Sequence, residues 1–302
     1  MMRRLAGWLL RLMAALAVIM VVAATFVYLR SNQLLAQRIH IDEPTLNIPA
    51  DADAIARGKR LAMLRGCTDC HGADLGGHVL VDSLPVGVIA GSNLTHGTGG
   101  IGRNLTATLI ERAVRHGLGP GGRMLLFMPS TDFAKLTDAD TGDLIAYVQS
   151  VPPVDRSIPA ATAGPLLRTL FLLGKAPLVY ALNIDQHAAH VASLTPEPTA
   201  EYGRYLAQAC AGCHGDHFSG GAIPGLPPSF PHAQNITRDP AGGIGHWTHA
   251  DFIAAMRTGK RPDNSSINPF MPWKAFSAMT DVELDALWSF LQTVPARATG
   301  QH

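Results

Sequence analysis

Two short stretches of this chain have the same form, Cys67-Thr68-Asp69-Cys70-His71 and Cys210-Ala211-Gly212-Cys213-His214, and together they use every cysteine present. Two cysteines three apart with a histidine directly after the second form the attachment signature of c-type haem. The spacing has a chemical reason. Thiols one short turn apart can each form a thioether to a vinyl group of one porphyrin, while the neighbouring imidazole reaches the iron from the same side. The motifs therefore predict two covalently bound haems c, with Cys67, Cys70, Cys210 and Cys213 as anchors and His71 and His214 as proximal iron ligands. Zinc would need four ligands close together, whereas the two pairs stand far apart and each brings its own histidine. Disulfide pairing would leave both histidines without a purpose. No thiol remains for a catalytic role or an alternative axial ligand.

An internal repeat shows which other residues keep a fixed relation to those motifs. Cys67 and Cys210 are 143 positions apart, and so are Met128-Pro129 and Met271-Pro272, Gly99-Gly100-Ile101-Gly102 and Gly242-Gly243-Ile244-Gly245, and Val151-Pro152 and Val294-Pro295. Asn93-Leu94-Thr95 and Asn235-Ile236-Thr237 match within one residue of that offset. The chain is thus a tandem duplication. Met128 and Met271 each lie 57 residues beyond their histidine, which makes them the candidates for the distal iron position. A thioether is a soft neutral donor that favours ferrous iron. A methionine in an apolar stretch is ordinarily core filler, but repetition at fixed distance argues for a ligand. Met124 has Ile267 at its repeat position, and Met63 and Met256 also lack a counterpart, so these are set aside.

Further recurring positions suggest support around each haem. Pro85 and Pro228 each follow their histidine by 14 residues, where a backbone carbonyl could accept the imidazole Nδ1 proton; a simple turn proline is the alternative. Asn93, Thr95, Asn235, Thr237 and Trp247 are donors suited to haem propionates, with ordinary loop capping as the alternative. The remaining histidines show no paired spacing that suggests a further metal site.

Organisation along the chain follows from composition. Residues 12–29 carry no charge and are preceded by Arg3, Arg4 and Arg11, the length and flank of one membrane span with its N-terminus in the cytoplasm; a cleaved signal peptide is the alternative. The segments expected are an anchor over 1–31, a polar tether over 32–50, a first domain over 51–153, a proline-punctuated linker over 154–198 and a second domain over 199–302. Within the domains, Ile55, Leu61, Ala62 and Leu64 predict a helix leading to the first motif, and Thr199 caps a helix leading to the second. Thr137-Asp138-Ala139-Asp140 and Thr280-Asp281-Val282-Glu283 predict capping boxes on amphipathic closing helices. In the linker, apolar stretches at 166–173 and 176–182 are broken by Gly174-Lys175, too short to span a bilayer. They are expected to lie over the surface between the domains, with contact to the membrane surface or a partner subunit as the alternative. A formal charge of +1 gives no basic excess and argues against a nucleic-acid partner.

The set of Cys-x-x-Cys-His, Asn-Leu-Thr, Gly-x-Gly-x-Trp-Thr, Met-Pro and a terminal helix ending in Val-Pro resembles class I cytochrome c, in tandem. Asn104 departs from the pattern, standing where the second half has Trp247. The chain is similar to membrane-anchored cytochrome subunits of bacterial periplasmic dehydrogenases, several of which have three haem motifs rather than two. This resemblance implies an all-α fold, two haems and no catalytic residues. It implies a carrier passing electrons on the periplasmic side of the cytoplasmic membrane, from a dehydrogenase or quinol donor to a downstream cytochrome or oxidase. The alternative is a dihaem redox enzyme, peroxidase-like or sulfur-compound oxidising. Such enzymes need an open iron position or a cysteine ligand, which neither half offers.

Overall fold

The computed structural model describes residues 2–42, 46–223, 226, 227 and 229–301. Helix α1 (Met2–Leu35) is built from Leu, Ala, Val and Met with no proline to interrupt it. Its most apolar 18-residue window has no buried residue. Such a helix is about 50 Å long at 1.5 Å per residue, well beyond a ~30 Å hydrocarbon core. Its last turns pack on protein, through Ser31 and Asn32.

In the first half, α2 (Ala52–Leu64) starts where the Asp51 side chain accepts the Ala54 N–H. Its buried face is the stripe Ala54, Gly58, Ala62, at the i, i+4, i+8 spacing of one helix side. A five-residue turn, α3 (Cys67–His71), carries the first attachment motif. A small antiparallel sheet follows, β1 (His78–Ser83) paired with β2 (Gly87–Gly91). Next comes α4 (Ala107–Glu111), continued by a π-helical turn, Arg112–His116. The closing helix α5 (Asp138–Ser150) crosses α2 so closely that a Cβ on Gly58 would lie 2.0 Å from the Asp143 carbonyl oxygen. Only glycine permits that crossing.

The linker contributes β3 (Thr162–Ala163), which extends the sheet beside β2, and α6 (Pro165–Leu172). The second half repeats the first: α7 (Ala200–His214), α8 (His249–Thr258), the short α9 (Trp273–Phe276) and α10 (Asp281–Leu291). Here Gly203 meets the Ala286 carbonyl oxygen, 1.9 Å from an added Cβ. The fold is all-α with two tandem cytochrome c domains behind an apolar N-terminal helix. The small sheet is an addition that the sequence reading did not anticipate, because its exposed hairpin lacks a continuous apolar face.

One apolar core runs through both halves and joins Leu64, Phe133, Leu144 and Tyr147 of the first to Tyr205, Phe252, Phe276 and Leu287 of the second. Each such buried side chain contributes about 2 kcal/mol. Polar contacts lock the seam. Arg60 of α2 donates to both Glu283 carboxylate oxygens, at 2.6 and 2.9 Å, while the Tyr205 hydroxyl of α7 donates to the Asp140 carboxylate of α5. Asp140 and Glu283 occupy the same repeat position. Only Glu283 completes a capping box with its threonine, Thr280. On α5, Thr137 accepts the Asp140 N–H, but the Asp140 carboxylate is turned to Tyr205 instead.

Two expected segments are more ordered than their composition suggested. Residues 32–50 are not a free tether: α1 runs to Leu35, Ile39 donates its N–H to Gly122, and Leu46 and Ile48 pack on the core, with 43–45 outside the described residues. The linker wraps the first domain rather than lying between the two. Leu178, Val179 and Ala181 are buried, and Arg168 of α6 donates to Ser31 and Asn32 while its guanidinium stacks over Tyr28 of α1. Proline-rich composition concealed that order because short apolar runs such as 176–182 have no helical or strand period to reveal them.

Candidate haem attachment sites

Each attachment motif sits at the C-terminal end of a helix that has crossed the closing helix of its domain, with the histidine directly after the second cysteine. In α7 the approach is one continuous helix. In the first half the helix breaks at Arg65 and Gly66, where Gly66 takes the left-handed conformation, φ 71°, that favours glycine. Both arrangements turn Cys67 and Cys210 against the core, where Met128, Met271 and Trp247 also pack.

The thiols are not reactive thiolates. Burial pushes Cys67 up to about 12 and Cys210 up to about 11, although the Arg65 guanidinium pulls both down. Burial likewise raises Cys70 and Cys213. Protonated thiols are poor partners for zinc.

The two histidines are oriented for a metal. Nδ1 of His71 is 2.8 Å from the Ser92 carbonyl oxygen and Nδ1 of His214 is 2.7 Å from that of Gln234. A donor Nδ1–H leaves Nε2 with the free lone pair. Burial holds both rings below the usual histidine range, so they stay neutral. These contacts correct the expectation for Pro85. Its carbonyl lies in the β1–β2 turn and accepts the Leu166 N–H, so the histidine is served by Ser92. Pro228 lies outside the described residues, and the acceptor for His214 is Gln234.

Asn93, Thr95, Asn235 and Thr237 are also corrected. All four are buried and spend their hydrogen bonds within the protein. Asn93 donates to the carbonyls of Val154 and Arg156 and accepts from the N–H and hydroxyl of Thr95. Asn235 donates to Arg297 and accepts the same pair from Thr237. They clamp the loop after each motif to the segment beyond the closing helix. Sequence recurrence marked them correctly as constrained and could not distinguish a loop clamp from a cofactor contact. Trp247 is half-buried and packs against the core.

Met128 and Met271 occupy equivalent positions. Each carbonyl accepts an N–H two residues on, from Ser130 and from Trp273, so each methionine starts a tight turn that aims it from the loop to the core. Met124 is buried elsewhere, with Leu118, Val179 and Ala181, which agrees with setting it aside.

The loop after Met128 approaches the second attachment turn across the seam. Asp132, in the turn just after Met128, lies against Gly212, its Oδ2 being 3.1 Å from an added Cβ. The same carboxylate raises Cys213, and together with Cys70 it raises Tyr180, whose shift is due first to burial. Arg65 acts on both Cys67 and Cys210. Sequence reasoning missed Arg65 and Asp132 because neither has a repeat partner or a local motif. It also missed the cluster of Glu111, His116 and His190, whose members are separated by up to 79 positions.

Comparison with known proteins agrees with this geometry. The family described as Cytochrome c matches residues 55–152 and 200–295. The fructose dehydrogenase cytochrome subunit of Gluconobacter japonicus is 30% identical over 278 residues, covering 85% of this chain and 56% of that protein. The cytochrome c subunit of the quinone alcohol dehydrogenase of Gluconacetobacter polyoxogenes is 38% identical over 94 residues, 29% of this chain and 20% of the relative. A diheme cytochrome c-type protein of Cereibacter sphaeroides is 30% identical over 143 residues, 44% and 48% of the two chains. The chain thus spans about half the length of the first of these relatives and a fifth of the second.

Proposed function

The chain belongs to the cytochrome c family, and from that premise we propose that it is a membrane-anchored dihaem carrier passing electrons through two saturated irons. Cys67, Cys70, His71 and Met128 hold one haem and Cys210, Cys213, His214 and Met271 the other, with Trp247 beside the second. When bound, each haem supplies a one-electron couple whose potential the axial ligands set. The protein fixes the imidazole tautomer through Ser92 and Gln234, keeps the thiols in apolar surroundings and shields the cleft from water. The observation that carries the reading is that both halves present the same complete set, so neither iron is left open for a substrate.

The approach of the loop after Met128 to the second attachment turn, around Asp132, Tyr180 and Arg65, supports direct transfer from one haem to the other within one chain. The relatives named as dehydrogenase cytochrome subunits support a dehydrogenase as donor, with quinol as the other candidate donor and a downstream cytochrome or oxidase as acceptor. Arg3, Arg4 and Arg11, in the first turns of α1, support a cytoplasmic N-terminus and haem domains on the periplasmic side. In that orientation the α1–α6 contact through Arg168 holds the first domain near the bilayer surface.

The test is spectroscopic. Each of Met128→Ala and Met271→Ala is expected to remove about half of the weak near-infrared charge-transfer band of ferric His/Met haem, and the double variant all of it, with one potential falling in each single variant. A wild-type protein that lacks the band for one domain, or that binds carbon monoxide rapidly there, would instead support a dihaem enzyme.

A further inference from the structure

The first domain holds a group of side chains that the two attachment sites do not use. Glu111 ends α4 and is 1% exposed, His116 ends the π-helical turn and is 6% exposed, and His190 comes from the linker. One ligand atom from each lies within 4.8 Å of the others. Neither oxygen of the Glu111 carboxylate accepts a hydrogen bond, and Nε2 of His190 is buried without a partner. A buried carboxylate and imidazole left in that state cost several kcal/mol unless something else is bound.

The tautomer of His116 is fixed. The Gln186 amide nitrogen donates to the carbonyls of Ala181 and His116, so its Oε1, 2.8 Å from His116 Nδ1, is an acceptor. Nδ1 therefore carries a proton, and Nε2, the nitrogen left for a ligand, faces Glu111 Oε1 at 3.4 Å. A carbonyl holding the far nitrogen of an imidazole is the arrangement found behind metal-bound histidines.

The backbone is shaped for the same purpose. Residues five apart sit about 140° apart around an α-helix, but a wider π turn brings them to within roughly 50°. Glu111 and His116 thereby share a face. In the second half the equivalent positions are Ile253 and Thr258, both inside the regular helix α8. The neighbouring Arg115 belongs to the common scaffold, although its Nε and Nη1 are also buried without a hydrogen-bond partner. It donates to the Leu136 carbonyl and pairs with Asp138, as Arg257 does with Met279 and Asp281. Its Nη1 is 3.8 Å from Glu111 Oε1, too long for a hydrogen bond. The cluster is thus an addition made in one domain only.

We propose that Glu111, His116 and His190 bind one divalent transition-metal ion of the zinc class, with the fourth position left to water. Two imidazole nitrogens and a carboxylate are a preferred ligand set for zinc, and bonds of about 2.1 Å require ligand atoms ~3.3 Å apart, a small closure of the group seen here. The ion would pin the linker to the first domain. The residues after His190 already dock there, since Val191 and Ala192 accept the N–H groups of Asp138 and Ala139 at the start of α5.

The test uses the full-length, untagged protein with both haems, purified in detergent, stripped with a chelator and titrated with Zn2+ alone. Bound zinc is measured by mass spectrometry after gel filtration and affinity by calorimetry. The expected result is one zinc per chain, bound at least tenfold more weakly in each of Glu111→Gln and His190→Ala and unchanged in His187→Ala, which removes an exposed linker histidine. Unaltered visible spectra show that the variants are folded, and Glu111→Gln conserves shape should His190→Ala fail that check. A wild-type protein that takes up no zinc, or variants that bind it as the wild type does, overturns the site.

Discussion

The two halves deliver the chain to their attachment turns differently. In the second, Gly203 at the helix crossing is seven residues before Cys210 and the helix runs on without a break; in the first, Gly58 is nine residues before Cys67, and the two extra positions include the break at Arg65 and Gly66. The consequence is electrostatic. The break turns Arg65 inward until its guanidinium lies over the Tyr205 ring, 5.4 Å from its centroid, where it acts on the thiols of both motifs. Only one half supplies this shared cation. A duplicated fold can therefore keep the same residues at the same spacing while giving its two attachment turns different surroundings.

The strongest way to probe the equivalence of the halves is at the helix crossings. Gly58→Ala and Gly203→Ala each push a methyl group against a backbone carbonyl that cannot yield, so each is expected to cost about 3 kcal/mol. Because one core runs through both domains, either variant should lower a single unfolding transition followed at both haems. Two separate transitions, with only one half affected, would mean that the halves are independent and that the shared core contributes little.

The seam offers a second comparison. Counted from the crossing glycines, Arg60 and Tyr205 are equivalent, and so are their acceptors Glu283 and Asp140. A cation bridges one way and a neutral hydroxyl the other. Arg60→Met leaves the buried Glu283 carboxylate with only its cap. With Arg60 itself about a third exposed, the cost is expected to be about 2 kcal/mol, below that of a fully buried pair. Tyr205→Phe removes a hydrogen bond to a more exposed carboxylate and the long one, 3.3 Å, accepted from the Thr137 N–H, and should cost about 1.5 kcal/mol. Urea unfolding of the two variants checks the order, and equal or reversed costs would break it.

How much of this was legible in the sequence depends on whether a feature is local or repeated. The attachment motifs and the cap at Thr280 follow from short patterns that recur at a fixed offset, and the cap at Thr199 from a local one. Pro85 recurred as well, yet the carbonyl that meets His71 is that of Ser92, because sequence distance does not say where a hairpin turns. Asn93 and Thr95 were recognised as constrained, but their partners at Val154 and Arg156 come from the far side of the closing helix. The features that distinguish the halves were invisible for the opposite reason. Arg65, Asp132 and the Glu111 group have no counterpart, and only tertiary packing brings them to a common place.

Asp132 gives the smallest and most specific effect. Burial raises its carboxyl above the usual carboxylate range, and the hydrogen bond from Thr131 and the attraction of Arg65 do not offset that. A raised value means that the folded protein holds this proton more tightly than the unfolded chain. The group therefore costs stability once pH exceeds the folded value, and the cost disappears as pH falls toward the ordinary carboxylate range. Other carboxylates, such as Asp51, Asp74 and Asp155, are shifted the opposite way by their hydrogen bonds, so the whole protein still weakens in acid. The contribution of Asp132 is read from the difference between wild type and Asp132→Asn. The variant is expected to gain stability relative to wild type at neutral pH and to lose that advantage as pH approaches 4, the ordinary carboxylate value. Because the carboxylate faces the second attachment turn through Gly212, removing its charge should also raise the potential of the second haem more than that of the first. Redox titration of the variant, resolved for the two haems, checks this. Equal shifts in both would show that Asp132 serves the seam as a whole and that the asymmetry of the two haem environments rests on Arg65 alone.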